Sequence, residues 1–242
     1  MLIKITDKIH IMPPFNETDR PALGLVCGNR YSLAIDSGIS PKHAAEFMED
    51  SRRLGVSPLK YLILTHHHYD HVLGSCEMNL LTITHEKIEE ELKRMRSYRW
   101  DDSSLAQNVE LGIFPEFGAE CIKAENEDRE NLRIREVDLT FSKSMMIDLG
   151  GITCDIRVID NCHVDGSVTI YIPEEKVLFL GDCIYGKRYN GIYGYHKETY
   201  ERLKETISSY DAEYYIISHE EVQDKKMMKE LWVEIEKESV FF

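Results

Sequence analysis

Residues 65–71 form the densest group of metal-binding side chains in the sequence and read Thr-His-His-His-Tyr-Asp-His. The group follows an apolar run at 61–64 that is typical of a buried strand. Imidazole binds zinc, iron or nickel well, and an interleaved carboxylate adds a hard oxygen ligand that can bridge two ions. This density is too high for an ordinary core or surface segment, so it predicts a metal site.

The spacing within this segment favours two metals over one. Side chains two residues apart in an extended chain point the same way, so His66 and His68 can bind one ion while His67 faces away. If the chain then enters a helix, Asp70 and His71 are turned toward a second point nearby. A hydrolytic site also needs a position left open for water, which a closed structural site lacks.

Further ligand candidates follow strand-like apolar runs elsewhere in the chain. Side chains at strand ends are the ones that a sheet-based active site presents. Three metal-capable residues lie one to four positions beyond such a run: His163, Asp182 and His219. Together with residues 65–71, they supply enough ligands for a two-metal site.

The order of these motifs resembles the metallo-β-lactamase superfamily of metallo-hydrolases. The motif at 65–71 is followed by His163, by Gly181-Asp182 and by His219. The earlier segment 33–38 contains Asp36 and is similar to the first motif of that family, an aspartate that buttresses the metal loop. All five motifs occur in family order, and the resemblance extends from about residue 5 to about residue 219.

The resemblance implies a set of ligands for two metals. In this set, the first metal is held by His66, His68 and His163, and the second by Asp70, His71 and His219. Asp182 bridges the two metals. Zinc is the expected metal, with iron or manganese as alternatives. The last motif reads Ser218-His219-Glu220 in place of the common Gly-His-Gly and keeps the ligand.

The same resemblance implies the reaction type. A hydroxide shared by two divalent ions about 3.5–4 Å apart attacks a carbonyl, and one metal stabilises the oxyanion. Asp70 lies beside this hydroxide and is the candidate catalytic residue, because it could orient the water or accept its proton. Esters, thioesters, lactones and phosphoesters all fit this scheme, and we favour a small-molecule ester, thioester or lactone.

Relatives of different chemistry supply the alternatives. The motif at 65–71 is close to that of glyoxalase II thioesterases, which carry a glutathione-binding helical domain after the last ligand; only 23 residues follow His219 here, so glutathione thioesters are disfavoured. The main alternative is a mononuclear-iron, sulfur-oxidising dioxygenase of the same fold. A β-lactamase is less favoured, since some antibiotic-degrading relatives have cysteine where Asp182 stands. A catalytically idle scaffold is disfavoured because every ligand position is filled.

A Gly- and Tyr-rich segment at 185–195 follows the Asp182 motif and is expected to be a flexible loop. Lys187 and Arg188 form a basic pair within it, although the chain is strongly acidic. We predict that this pair clamps a substrate carboxylate, with Tyr193 and His196 contributing to the pocket. The alternative is a solvated loop whose tyrosines pack on the sheet.

The resemblance implies an α/β (α+β) fold, a four-layer αββα sandwich of two mixed β-sheets flanked by helices. The strand and helix signals are consistent with this fold, and the length is consistent with one domain over residues 1–242. Residues 85–144 interrupt the strand rhythm and are predicted to form a helical insertion. Strands are expected at 3–5, 9–12, 23–27, 31–35, 59–65, 80–84 and 212–218, and a run of strands over 146–181 that includes 169–172 and 177–180. Helices are expected at 40–54, 85–99, 198–208 and 222–237.

Composition limits the partners. The net charge of −14 argues against nucleic acid, because such binding depends on Lys and Arg neutralising phosphates. The start of the chain lacks a signal-peptide core, and no apolar run reaches the ~20 residues of a membrane span, so a cytoplasmic protein without a membrane partner is expected. A small-molecule substrate is the expected partner, and a homodimer is compatible with the sequence. The six cysteines are expected to be free thiols, with Cys183 a buried packing residue.

Overall fold

The computed structural model describes residues 1–242 and contains sixteen strands and eight α-helices. In chain order the strands are β1 (Ile3–Lys4), β2 (Ile9–Met12), β3 (Leu23–Cys27), β4 (Ser32–Ile35), β5 (Leu59–Ile63), β6 (Leu81–His85), β7 (Leu139–Phe141), β8 (Ser144–Asp148), β9 (Thr153–Val158), β10 (Val168–Ile172), β11 (Val177–Gly181), β12 (Lys187–Tyr189), β13 (Ile192–Tyr195), β14 (Tyr214–Ile217), β15 (Gln223–Asp224) and β16 (Val240–Phe241).

The helices are α1 (Pro41–Arg53), α2 (Tyr69–Val72), α3 (Ser75–Met78), α4 (Glu86–Met95), α5 (Asp102–Glu110), α6 (Glu116–Glu125), α7 (Lys197–Ser208) and α8 (Lys225–Glu238). None of them has the length and apolar character needed to cross a membrane. α4, α5 and α6 lie within the segment 85–144, where the sequence predicts a helical insertion.

Two large mixed sheets pack against each other. The first has the order β1 to β7 and changes from antiparallel to parallel pairing at β4. The second has the order β15-β14-β11-β10-β9-β8, in which only β11 and β14 pair in parallel. The predicted αββα architecture with two mixed sheets is therefore confirmed.

Alternation along the strands creates the layers, because successive side chains point to opposite faces of a sheet. Leu33, Ile35 and Ile63 face the second sheet and belong to the apolar layer between the sheets. Ala34 and Leu62 face the other way and join the layer under α1 and the insertion helices. A third apolar layer separates the second sheet from α7 and α8.

A small third sheet was not predicted from the sequence. The segment expected to be a flexible loop contains a hairpin of β12 and β13, and β13 also pairs with the C-terminal strand β16. This hairpin lacks a clear apolar alternation of its own, and pairing with a distant segment stabilises it.

Most of the metal-capable residues lie where parallel strands end at one edge of the sandwich, whereas His163 lies in the connection between the antiparallel strands β9 and β10. Asp36 directly follows β4, and residues 65–71 follow β5. Asp182 follows β11, and His219 lies two residues beyond β14. Parallel pairing of β4 with β5 and of β11 with β14 places these strand ends side by side.

Candidate metal centre

Asp36 organises the segment that follows β5. It is 1% exposed and adopts a left-handed backbone conformation with φ of 59°. Its Oδ1 accepts a hydrogen bond from the Thr65 backbone N–H at 2.7 Å, and its Oδ2 accepts one from the Thr65 hydroxyl at 2.8 Å. Oδ2 also lies 2.8 Å from His71 Nδ1. Because a carboxylate only accepts, Nδ1 of His71 carries a proton, and Nε2 is the nitrogen that is available to a metal ion.

Thr65 extends this orienting network to His66. The Thr65 hydroxyl proton is already donated to Asp36, so its oxygen accepts from His66 Nδ1, which lies 3.1 Å away. Nε2 of His66 and Nε2 of His71 are both buried without a hydrogen-bond partner. Buried polar atoms are nearly always satisfied, so an unpartnered imidazole nitrogen at each of two neighbouring points fits bound metal.

Two groups of metal-capable atoms meet at this point, and within each group the potential ligand atoms all lie within 4.8 Å of one another. The groups share one member, Asp182. The first consists of His66, His68, His163 and Asp182, and the second consists of Asp70, His71, Asp182 and His219.

The shared carboxylate is central to both groups. Asp182 Oδ2 lies 3.6 Å from His66 Nε2 and 3.5 Å from His163 Nε2 in the first group. In the second, it lies 3.5 Å from His71 Nε2 and 3.7 Å from His219 Nε2. Its other oxygen, Oδ1, is buried without a hydrogen-bond partner. These donors fit a divalent metal site.

Gly181 allows Asp182 to reach this position. Its φ is +53°, and a Cβ added there would lie 2.9 Å from Thr65 Oγ1. A side chain at this residue would therefore displace the threonine that orients His66. The next residue, Cys183, is fully buried in the apolar layer against α7 and α8 and points away from both groups. All six cysteines are free.

His163 is held by a turn and by the start of the segment leading to β12. Asn161 Oδ1 accepts the backbone N–H of His163 at 2.8 Å. The Nδ1 atom of His163 lies 3.4 Å from the carbonyl oxygen of Gly186, so its Nε2 is the nitrogen available to a metal ion. Nε2 lies 3.0 Å from Nδ1 of His68, so both nitrogens face one point.

The turn at Ser218-His219-Glu220 reaches its geometry without glycine, since neither flanking residue has a positive φ. The backbone of His219 is anchored by Asn16, whose Nδ2 donates to the His219 carbonyl at 3.0 Å. The imidazole Nε2 lies 3.2 Å from Asp70 Oδ2. Thus the departure from Gly-His-Gly leaves the histidine within the second group.

Burial and mutual charge set the protonation of the centre. Burial lowers the pKa of His68 to about 3 and also lowers the pKa values of His66 and His163. Burial alone would raise the pKa of Asp182, but His71 and the other imidazoles hold it below its usual value. In the second group, burial alone would lower the pKa values of His71 and His219, but the nearby carboxylates of Asp70 and Asp182 outweigh it and raise them. A cation that binds the second group therefore displaces protons, because imidazole binds a metal in its unprotonated form.

Tyr185 is a neighbour of the centre that sequence reasoning did not single out. Its ring centroid lies 6.2 Å from that of His163 and 6.2 Å from that of His219. Its hydroxyl donates to Glu220 Oε1 at 3.3 Å. In the sequence, only the position of Tyr185 three residues after Asp182 indicates that it lies near the centre. Thr65 was predicted only as part of the motif at 65–71, without a role for its side chain.

The residues predicted to contact substrate occupy the hairpin and its end. Lys187 and Arg188 are exposed on β12; Lys187 lies over the Tyr189 ring, and Arg188 donates to the Gly191 carbonyl at 2.9 Å. The hydroxyl of Tyr193 accepts the Gly186 N–H at 2.8 Å. His196 precedes α7, and its Nδ1 lies 3.4 Å from Thr199 Oγ1. Tyr193 is linked to His163 through Gly186, whose backbone lies within hydrogen-bond distance of both side chains. Lys187, Arg188 and His196 form no hydrogen bond with a residue of either ligand group.

The fold and the two joined ligand groups support a metal-dependent hydrolase in general. A family model for the metallo-beta-lactamase superfamily matches residues 23–219, and the chain belongs to that superfamily.

Solved structures show the same fold at low sequence identity. A metallo-beta-lactamase from Pontibacter korlensis is 18% identical with a TM-score of 0.66, over 98% of this chain and 99% of that one. DIM-1 metallo-beta-lactamase is 16% identical with a TM-score of 0.66, over 99% and 98%. A metallo-beta-lactamase family protein from Thermus thermophilus is 16% identical with a TM-score of 0.64, over 97% and 81%. A search of curated protein sequences found no match.

Proposed function

We propose that this protein is a dinuclear, zinc-dependent hydrolase of a small-molecule ester, thioester or lactone. The observation that carries the proposal is the position of Asp182 Oδ2, a single carboxylate oxygen common to two groups of buried ligand atoms. A lone structural ion would need only one such group, closed by four protein ligands.

When bound, two divalent ions would lower the pKa of a water molecule toward ~7 and polarise a substrate carbonyl. The carboxylate of Asp70 is suited to orient that water, because in its ionised form it accepts a hydrogen bond. Its carboxylate is buried, with Oδ2 lying 3.0 Å from His71 Nε2 and 3.2 Å from His219 Nε2. Burial raises the pKa of Asp70, but the neighbouring His71 and His219 outweigh this and hold it well below its usual value.

The chain's other residues fix the geometry. Asp36 and Thr65 orient His71 and His66, so that their Nε2 atoms face the centre before any ion binds. Tyr185 forms a wall between His163 and His219. Such preorganisation is what positions a reacting group in a productive orientation.

The experiment is metal analysis combined with a substrate panel. Protein purified without added metal and then saturated with zinc should hold two zinc ions per chain. It should hydrolyse at least one of a nitrophenyl ester, an acyl thioester and a lactone faster than a chromogenic β-lactam. One iron per chain with oxygen-dependent oxidation of a persulfide would favour the dioxygenase alternative instead, and at most one ion per chain after zinc saturation would overturn the dinuclear proposal.

A further inference from the structure

A cavity of about 260 Å³ lies between the metal-binding segment and the helical insertion. On one side its wall is formed by His67 and His68. On the other side it is formed by Met95, Tyr98, Ile113 and Phe114, all from the insertion. Its volume is just below the ~300–1,000 Å³ range of small-molecule pockets, and five of its nine lining residues are hydrophobic.

The cavity borders the metal centre at His68. This residue lines the cavity, and its Nδ1 also lies 3.0 Å from Nε2 of His163 in the first ligand group. A molecule whose reactive bond sat at the centre would therefore have this cavity beside it. The four substrate-contact residues predicted from the sequence do not line it.

The walls of the cavity are held in place by aromatic packing. The Phe114 ring contacts Tyr69 edge-on at a centroid distance of 5.7 Å and stacks on Trp100 at 5.7 Å. Phe114 and Met95 are both buried. A cavity with fixed walls is preformed, so an occupant loses little free energy to reordering of the protein.

The charges around the cavity favour an uncharged occupant. Arg94 and Glu91 both line it, and their side chains form an ion pair at 3.1 Å that cancels their net charge. Of the two histidines in the lining, His67 has an Nδ1 that is buried without a hydrogen-bond partner. The cavity therefore suits an apolar chain or ring, with room for one hydrogen bond at His67.

We propose that this cavity binds the apolar acyl chain of the substrate, and that the enzyme prefers medium-chain aliphatic acyl esters, thioesters or lactones over acetyl ones. This inference rests on the proposed function, because it assigns a substrate class to the same centre. It adds a specificity-determining role for Ile113, which lines the mouth of the cavity and is 43% exposed.

The test is kcat/KM for nitrophenyl esters from acetate to decanoate. In the parent protein kcat/KM should rise about three- to four-fold per added methylene until the cavity is filled, since each buried methylene contributes about one such factor. Ile113→Trp should fill the mouth and lower the octanoate-to-acetate ratio by at least about ten-fold, the equivalent of two lost methylenes. Ile113→Ala, which risks less disturbance of the fold, should lower the ratio in the same direction by a smaller factor.

Leu111→Trp is the matched control, because Leu111 is 66% exposed on the same segment and does not line the cavity. It should leave the ratio unchanged. A chain-length series that is flat in the parent protein, or an Ile113→Trp variant with an unchanged ratio, would overturn the inference while leaving the hydrolase proposal intact.

A binding measurement separates this inference from the proposed function. Titration of 1-octanol, which cannot be hydrolysed, should show binding to the parent protein and to Leu111→Trp, and about ten-fold weaker binding to Ile113→Trp. If this pattern is seen but no ester, thioester or lactone is hydrolysed, the proposed function fails and the apolar pocket stands. Equal binding to all three proteins would overturn the pocket.

Discussion

Asp182 is the residue on which both ligand groups depend, because its Oδ2 is common to them. We expect Asp182→Ala to reduce the metal content of zinc-saturated protein from two ions per chain to at most one, and to lower kcat severely. Elemental analysis after gel filtration measures the first effect. Cys183→Ala is the control: this thiol points into the apolar layer below, so the variant should keep both ions. If Cys183→Ala released the metals, our assignment of this strand end would be off by one residue.

Asp36 and Thr65 should affect metal affinity without touching a metal. Asp36→Asn removes the acceptor that orients His71 directly and His66 through Thr65, so we expect a loss of about 10–100-fold in affinity, the usual range for such partners of ligands. Thr65→Val breaks only the route to His66 and should cost less. Competition with a chromophoric chelator measures both. A Thr65→Val effect equal to or larger than that of Asp36→Asn would contradict this network.

At the scale of single residues, the sequence revealed the metal-capable side chains but not the network that orients them. Four histidines and an aspartate within a short segment form a signal that does not depend on the fold. The hydroxyl of Thr65, the ring of Tyr185 and the unpartnered Nδ1 of His67 acquire a role only through neighbours far away in the chain. No local pattern distinguishes these residues from others of their type.

Among the elements, α1 carries a buried histidine that should make the fold acid-sensitive. His43 is 1% exposed, both of its ring nitrogens lack partners, and its ring covers Gly38, where a Cβ would lie 2.4 Å from Nδ1. Burial, reinforced by Arg20 and opposed by Glu125, lowers its pKa to about 3.

Because the pKa of His43 is lower in the folded chain than in the unfolded one, the free energy of unfolding should decrease as the pH falls. The unfolded chain binds a proton at His43 near pH 6.5 and the folded one only near pH 3, so the contribution of His43 is complete above pH 6.5 and is lost as the pH falls toward 3. The loss should amount to roughly 3 kcal/mol between pH 6.5 and pH 4. Urea unfolding of chelator-treated protein at several pH values measures it.

His43→Leu should have a shallower loss of stability over this pH range than the parent protein, whatever its stability at neutral pH. Chelator treatment of both proteins keeps metal release out of the comparison. His196→Leu is a suitable control, because this histidine is exposed. Parallel stability curves for His43→Leu and the parent protein would show that His43 does not titrate as inferred.

The β12–β13 hairpin is the element that carries the predicted anion clamp. We still expect Lys187→Ala/Arg188→Ala to raise KM for carboxylate-bearing esters by roughly ten-fold per lost charge-assisted contact. The rate on a neutral nitrophenyl ester and the metal content should barely change. A substrate panel of neutral and anionic esters measures the difference. Equal effects on both classes would mean that the exposed pair has only a structural role.

Elements with a clear apolar period were predicted closely. β2 and β3 have the expected bounds, and α1 differs by one residue at each end, since Ser40 and Pro41 mark its start. α5 and α6 were predicted only as part of the helical insertion at 85–144, without bounds of their own. Exposed apolar residues such as Leu111 and Phe117 obscured the helical period there. The hairpin was missed because its pairing with β16 joins segments that the sequence separates widely.

For the whole molecule, bound metal should act as a stabilising ligand. Ions present at about 100 times their dissociation constant add about 2.7 kcal/mol per site to the free energy of unfolding. For a chain of this size, that corresponds to roughly 5–10 °C in Tm per site. Thermal unfolding with and without a chelator should show this difference, and Asp182→Ala should show much less of it. An unchanged Tm in the parent protein after verified metal removal would contradict the placement of the ligands at the junction of both sheets.

The junction of the two sheets has a further consequence for the time course of folding. Neither ligand group can be completed by a local stretch of chain, since the first needs His163 and the second needs His219, which follows the penultimate strand of the second sheet. Contacts between such distant segments form late, because the chain must lose the entropy of closing a long loop before these contacts can stabilise it. Metal capture should therefore follow assembly of both sheets rather than nucleate it, so stopped-flow refolding should give the same main rate with zinc or with chelator, and zinc should slow unfolding instead.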